Sequence, residues 1–150
     1  MADDRDDLLH HYAELRADLL AAIEGLGDEL MVEPSIDGWS VKDHLLHLAF
    51  WDDLRTAEIA RISGGQESAW RLTGEQEDTL NALVYQLRRD LPLAQARWEL
   101  AESRRWLLGA IAAATPRGLD PSLYGEPGLR TTHEADHAGW IRRWRREKGV

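Results

Sequence analysis

Apolar residues recur at three- and four-residue intervals along most of this chain, and no segment shows the clear period-two alternation of a half-buried strand. That spacing commits the polypeptide to helices. Leu8, Tyr12, Leu15, Leu19 and Ile23 form the first stripe, with acids toward its start and Gly25 and Gly27 as its stop. Residues 28–39 hold Pro34, Asp37 and Gly38 and read as a connection without a helix. Ser40, with Asp43 three residues on, approximates a capping box for a second helix. Its stripe begins with Val41, Leu45 and Leu48, and the helix runs to Gly64-Gly65. From Thr73 to Asp90 a weaker pattern places Leu80, Leu83, Val84 and Leu87 on one side of a short extra helix. Pro92 suits the first turn of the next helix, with Ala94, Trp98, Ala101, Leu108 and Ile111 expected on its buried face. Pro116, Gly118, Pro121, Tyr124, Gly125, Pro127 and Gly128 make a long loop, suited to an ordered lid or crossover. A last helix begins near Thr131. Four long amphipathic helices, no strand and no internal repeat predict an all-α, four-helix-bundle domain over residues 1–150. Pattern alone leaves simple up-down and crossover topologies open.

At 150 residues one domain can bury enough apolar surface to fold unaided. The absence of cysteine removes disulfides, a thiolate nucleophile and thiolate metal ligands, so a metal site must use His, Asp or Glu. The acidic N-terminal MADDRDDLL does not read as a secretory signal, and no apolar run approaches the ~20 residues of a bilayer span. The expectation is a cytoplasmic protein without a membrane role. A formal net charge of -9 disfavours nucleic acid as a partner. The basic run Arg142, Arg143, Arg145 and Arg146 is expected to serve the C-terminal end of the last helix.

Chemistry concentrates in the histidines. His133 and His137, in HEADH, share one helix face about 6 Å apart, a spacing that suits two imidazoles on one ion. His47, in HLAFW, is the third candidate ligand, and a bundle joining the two helices would build a three-histidine site of catalytic type. Taken singly, each of these is as readily an ordinary surface or core histidine. His44, three residues from His47, is an alternative ligand, and His10 and His11 read as a solvated pair. Asp43 either completes the helix cap or accepts the remaining N–H of His47 and so orients that ring. Glu134 and Asp136 point away if both histidines face inward. Trp51 and Trp140 line either the core or a pocket beside the ion, and Trp144 reads as core. The Tyr124 hydroxyl is a pocket candidate by chain order alone. Three neutral imidazoles suit zinc, nickel, copper or iron and leave the ion's charge free to activate bound water or thiol.

The segments GWSVKDHLLHLAFWDD and HEADHAGWIRRW together resemble the DinB-like (YfiT-like) four-helix-bundle superfamily, with the strongest likeness to its ClbS/DfsB-like branch. The matching marks are Trp39-Ser40 at a helix start, His47 with Trp51 one turn on, and His133 with His137. The resemblance implies an up-down-down-up bundle, often a homodimer, with a divalent ion held by His47, His133 and His137. It implies an enzyme of the kind that transfers a low-molecular-weight thiol to a small electrophile, or hydrolyses one, in detoxification or stress. Relatives include thiol-dependent S-transferases, a maleylpyruvate isomerase that uses mycothiol, and a toxin-resistance protein. With no cysteine in the chain, the sulfur must come from a cosubstrate. The alternative is a non-catalytic bundle that binds or sequesters a small molecule without a functional metal.

Overall fold

The computed structural model describes residues 4–126 and 128–150, so Pro127 of the predicted loop lies outside the described residues. Among the described residues six α-helices follow in order: α1 (Arg5–Ile23), α2 (Asp28–Val32), α3 (Val41–Ser63), α4 (Gly74–Arg88), α5 (Leu93–Ala113) and α6 (His133–Lys148). Two 3₁₀ turns, Arg117–Leu119 and Pro121–Leu123, interrupt the loop before α6. There is no β-strand among the described residues, nor a helix long and apolar enough to cross a membrane.

Local chemistry sets the helix starts. Asp4 caps α1 by accepting from the Asp7 amide. Reciprocal capping boxes, Ser40 with Asp43 and Thr73 with Gln76, open α3 and α4 and satisfy backbone N–H groups that no earlier turn could reach. Gly149 ends α6 at φ 78°, a left-handed position that favours glycine.

Side-chain links between helices fix the topology. Arg5, at the start of α1, donates to Ile111 O (3.2 Å) near the end of α5, while Arg16 further along α1 reaches Leu100 O (2.7 Å). These two helices are antiparallel. On α3 and α5, Lys42 pairs with Leu91 O (2.8 Å), Asp52 with Arg104 (2.9 Å) and Ser63 with the Thr115 amide (3.3 Å), so this pair is parallel. Arg16 with Glu134 (3.1 Å) and Asp18 with Arg142 (2.7 Å) make α1 and α6 parallel as well. His44 facing His137 and His47 facing His133 make α3 and α6 antiparallel. The four long helices therefore run up, down, down, up.

Two apolar clusters fill the bundle. One gathers Leu19, Met31, Val41, Leu45, Leu100, Ile141 and Trp144. The other gathers Leu8, Tyr12, Ile59, Ile62, Leu107, Ile111 and Leu129. Along α1, α3 and α5 the residues between these clusters are charged: Arg16, Asp52 with Arg55, and Arg104, all buried. Glu134 from α6 joins them. Arg104 binds Asp52 (2.9 Å) and Glu134 (2.9 Å), Arg16 binds both carboxylates at 3.1 Å, and Arg55 lies 3.6 Å from Asp52. Burial opposes charge on Arg104, but Asp52 and Glu134 outweigh it and hold its pKa above the ordinary value.

The structure departs from the sequence expectations at several points. Residues 28–32 form a helical turn, α2, inside the expected connection, because Asp28 and Glu29 favour an N-terminus and Met31 finds a fully buried seat. The buried face of α5 is Ala96, Leu100, Arg104, Leu107 and Ile111, whereas Trp98, placed inside by its spacing, is 56 % exposed. The true face is crossed by an arginine that enters the ionic layer, which disguises it as polar. On α4 only Val84 is buried, and Leu83 and Leu87 are exposed. His11 is no solvated partner of His10: its Nε2 lies 2.7 Å from Thr131 O and ties α1 to the start of α6. The arginine run is divided, Arg142 binding Asp18 and Arg145 reaching the carbonyls of Ala22 and Glu24 (both 2.9 Å).

Candidate metal centre

Antiparallel packing of α3 on α6 sets the early turns of both helices side by side. His44 and His47 then meet His133 and His137 from across the interface. Nε2 of His133 lies 2.9 Å from Nε2 of His137 and 3.4 Å from Nε2 of His47. Ligand atoms of His47, His133 and His137 all fall within 4.8 Å of one another, so the three can hold one metal ion. Three nitrogens on the corners of a tetrahedron around an ion, each at ~2.0–2.1 Å, stand about 3.3 Å apart, and the separations of His133 from His137 and from His47, 2.9 and 3.4 Å, bracket that value. The donor set therefore fits a divalent ion that retains an open position.

The fourth imidazole plays a different part. His44 Nδ1 lies 2.6 Å from His137 Nδ1, on the far side of the His137 ring from His133. It thus stands where an outer partner orients a ligand histidine, the position that spacing suggested for Asp43 beside His47. The Asp43 carboxylate is engaged elsewhere, accepting from the Ser40 amide (2.8 Å) and hydroxyl (2.9 Å). Tyr124 is likewise engaged: its hydroxyl donates to Gly118 O (2.6 Å) within the second apolar cluster, and it lines neither recess beside the histidines.

Burial lowers the pKa of all four imidazoles, with neighbouring positive charge adding to the effect. His44 is brought down to about 4 chiefly by burial, partly offset by Asp43. His47 falls to about 3 through burial, then the facing His133 and His44 one turn earlier on its own helix. His133 and His137 are lowered for the same first reason, with Arg55 and the other imidazoles next in turn. All four are neutral at pH 7, the form that ligates metal. Stability carries the sign of this shift. Above pH 6.5 the imidazoles are neutral folded and unfolded, so they contribute nothing to the difference. Below it the unfolded chain takes up protons that the folded, metal-free chain refuses, at up to about 1.4 kcal/mol per pH unit for each histidine. Urea melts in chelator are therefore expected to show stability falling steadily from pH 6.5 to 5. A midpoint constant over that range would contradict the neutral, buried cluster.

A recess of about 340 Å³ opens on the cluster, with His44, His47, His133 and His137 at its base. Its walls include Trp39 and Trp140, and Asp37 and Arg143 bring opposite charges to it. An Asp-Gly turn delivers Trp39: Asp37 (φ 52°) and Gly38 (φ 90°) are both left-handed, and Ile36 and Trp39 exchange two 2.9 Å backbone bonds around them. Trp39 then stacks on Tyr85 of α4, with ring centroids 5.2 Å apart and planes 4° apart. Trp140 stands edge-on to His137 at 4.7 Å and is 43 % exposed. Trp51 is buried, 6.3 Å from His47, with its indole N–H on Asn81 Oδ1 (2.9 Å). A smaller recess of about 210 Å³ meets His133 from the side of Trp51, Asn81, Glu77 and Glu126. Trp144 packs in the core and donates to Ser35 Oγ (2.9 Å).

Sequence reading gives Asn81 no role, places Arg143 only in the basic run at the end of the last helix, and assigns no wall role to Trp39. The Asp37-Gly38 pair was the available signal for Trp39, since it predicts a tight turn immediately before that ring. Asn81 and Arg143 carry no local signal, because only packing brings α4 over α3 and turns Arg143 to the recess.

Comparison with known proteins agrees with this geometry. The chain is similar in fold to the crystal structure of an uncharacterised protein from Escherichia coli UTI89, with a TM-score of 0.76 over 97 % of this chain and 95 % of that one. Identity is 18 %, so the likeness speaks to the fold alone. No curated protein matches the sequence. The sequence pattern of the DinB superfamily matches residues 11–141, which take in α3, α4 and α5 whole and include His47, His133 and His137. By that match the chain belongs to the DinB superfamily.

Proposed function

We propose that the protein is a divalent-metal-dependent enzyme that transfers a low-molecular-weight thiol to a small electrophile, or hydrolyses one. The observation that carries this reading is the convergence of His47, His133 and His137, through nitrogens 2.9 and 3.4 Å apart, at the base of a recess sized for a small molecule. A divalent ion on three neutral imidazoles lowers the pKa of bound thiol or water toward neutrality. His47, His133 and His137 would hold it, and His44 would orient the His137 ring. Trp39 and Trp140 would grip the apolar part of the substrate and keep water from its far face. Because the chain has no cysteine, the sulfur nucleophile arrives with a cosubstrate. The resemblance to the ClbS/DfsB-like branch supports a role in disarming reactive compounds.

The test is a panel of activated electrophiles, such as monobromobimane, incubated with protein and with or without cysteine, glutathione or a glycosidic thiol. Turnover should exceed the protein-free rate by at least ~100-fold with one thiol or with water alone, and fall to background in His47→Ala. Saturable binding of panel members with no turnover under any condition would favour a sequestering module, for which the aromatic walls alone suffice.

A further inference from the structure

Two recesses open on the histidine cluster, and they share two lining residues, His133 and Asn81. A reaction between two small molecules needs both held at one point, each entering without passing through the other. The two linings differ in chemistry. The larger recess is walled by Trp39 and Trp140, and its Asp37 and Arg143 offset one another. The smaller, of about 210 Å³, is lined by Trp51, Glu77, Asn81, Glu126, Thr131 and His133. Among the described residues it therefore carries two carboxylates and neither lysine nor arginine, and neither glutamate forms an ion pair or a side-chain hydrogen bond. Arg55, whose charge acts on His133, lines neither recess: it donates to Gly128 O (3.1 Å) and lies 3.6 Å from Asp52. Glu77 feels the result. Partial burial and the charges of Glu126 and Asp78 hold its carboxyl above the ordinary value, a repulsion that a cation seated between Glu77 and Glu126 would relieve.

The apolar part of the electrophile has the larger, aromatic recess, so the smaller falls to the cosubstrate. We infer that the smaller recess binds the thiol, and that the thiol it selects carries a free ammonium group, held by Glu77 and Glu126 while the sulfur reaches the His133 side. A hydroxyl in place of the ammonium gains only neutral hydrogen bonds there, and a carboxylate is repelled. This inference rests on the metal and thiol-transfer reading above, and it names the cosubstrate class for that site.

Cysteamine, 2-mercaptoethanol and 3-mercaptopropionate carry an ammonium, a hydroxyl and a carboxylate at similar reach from sulfur. Each is titrated into zinc-loaded protein, and metal content is measured at the end of each titration. Binding is followed by the ¹⁵N-correlated indole signals of Trp51, in the smaller recess, and Trp140, in the larger. Cysteamine should bind at least about tenfold tighter than 2-mercaptoethanol, with 3-mercaptopropionate weakest, and Trp51 should shift more than Trp140. The combined Glu77→Gln and Glu126→Gln variant should lower the cysteamine preference about tenfold. The thiols differ in their own acidity, but that difference is the same for both proteins, so the change in preference reports the carboxylates. A variant with full zinc content and an unchanged preference, or shifts centred on Trp140, would overturn the inference while leaving the metal reading intact. Wild-type protein that takes up no zinc would overturn the metal reading separately. Ethylammonium chloride then tests the recess without an ion: a Trp51 shift in the wild type that the variant loses supports the cation site, and no shift overturns it.

Discussion

Asp52→Ala is expected to cost about 3–5 kcal/mol of folding stability, a large share of the ~5–15 kcal/mol that a domain of this kind has. Asp52 is 3 % exposed and sits among three guanidinium groups, bonded to Arg104 at 2.9 Å and Arg16 at 3.1 Å, with Arg55 at 3.6 Å. Removing it leaves Glu134 to balance Arg16 and Arg104 and strands Arg55 beside them, all out of reach of bulk water. The cost is that of exposing buried cations to an apolar surrounding, and it exceeds any energy lost with the ion pairs themselves. The melting midpoint should fall by about 10 °C or more. Asp52→Asn keeps the shape and an acceptor and should fall between Ala and wild type. A loss below ~1 kcal/mol in urea melts of the Ala variant would show that the charged layer does not hold these helices together.

The second large effect concerns His137. Its Nε2 faces His133 and its Nδ1 faces His44, so it is the imidazole through which ligand and orienting partner are joined. A four-ligand structural zinc site is worth about 10–16 kcal/mol, roughly 3–4 kcal/mol for each ligand. His137→Ala should therefore weaken zinc binding by about 10²- to 10³-fold, read by competition with a chromogenic chelator. His10→Ala, at an exposed residue paired with Glu14, should leave the affinity unchanged. An affinity within threefold of wild type in His137→Ala would remove it from the ligand set.

What the sequence could disclose depended on how local the cause was. The α3 cap was legible because Ser40 and Asp43 form it between themselves. The stripes of α1 and α3 were legible because the apolar residues of each helix repeat along one side, toward the two apolar clusters. The fold class and the juxtaposition of His47 with His133 and His137 followed from helical spacing and from the family resemblance. The face of α5 was not legible, since alanine, leucine and tryptophan surround that helix and Arg104 breaks the buried side. Glu134 reads as a solvent-facing neighbour of His133, yet it points into the bundle, where Arg16 and Arg104 from two other helices make its burial tolerable. His44 was a weak alternative ligand in sequence and is the partner of His137 in space, because that role depends on a helix crossing that no local pattern encodes.

If imidazoles from α3 and α6 share one ion, the metal content of the purified protein will show it. Wild-type protein purified without chelator, and its His47→Ala variant, are compared by elemental analysis. About one divalent ion per chain is expected in the wild type and close to none in the variant. Wild-type protein that takes up no divalent ion even after incubation with zinc, nickel or iron, or a variant that retains the full amount, would contradict it.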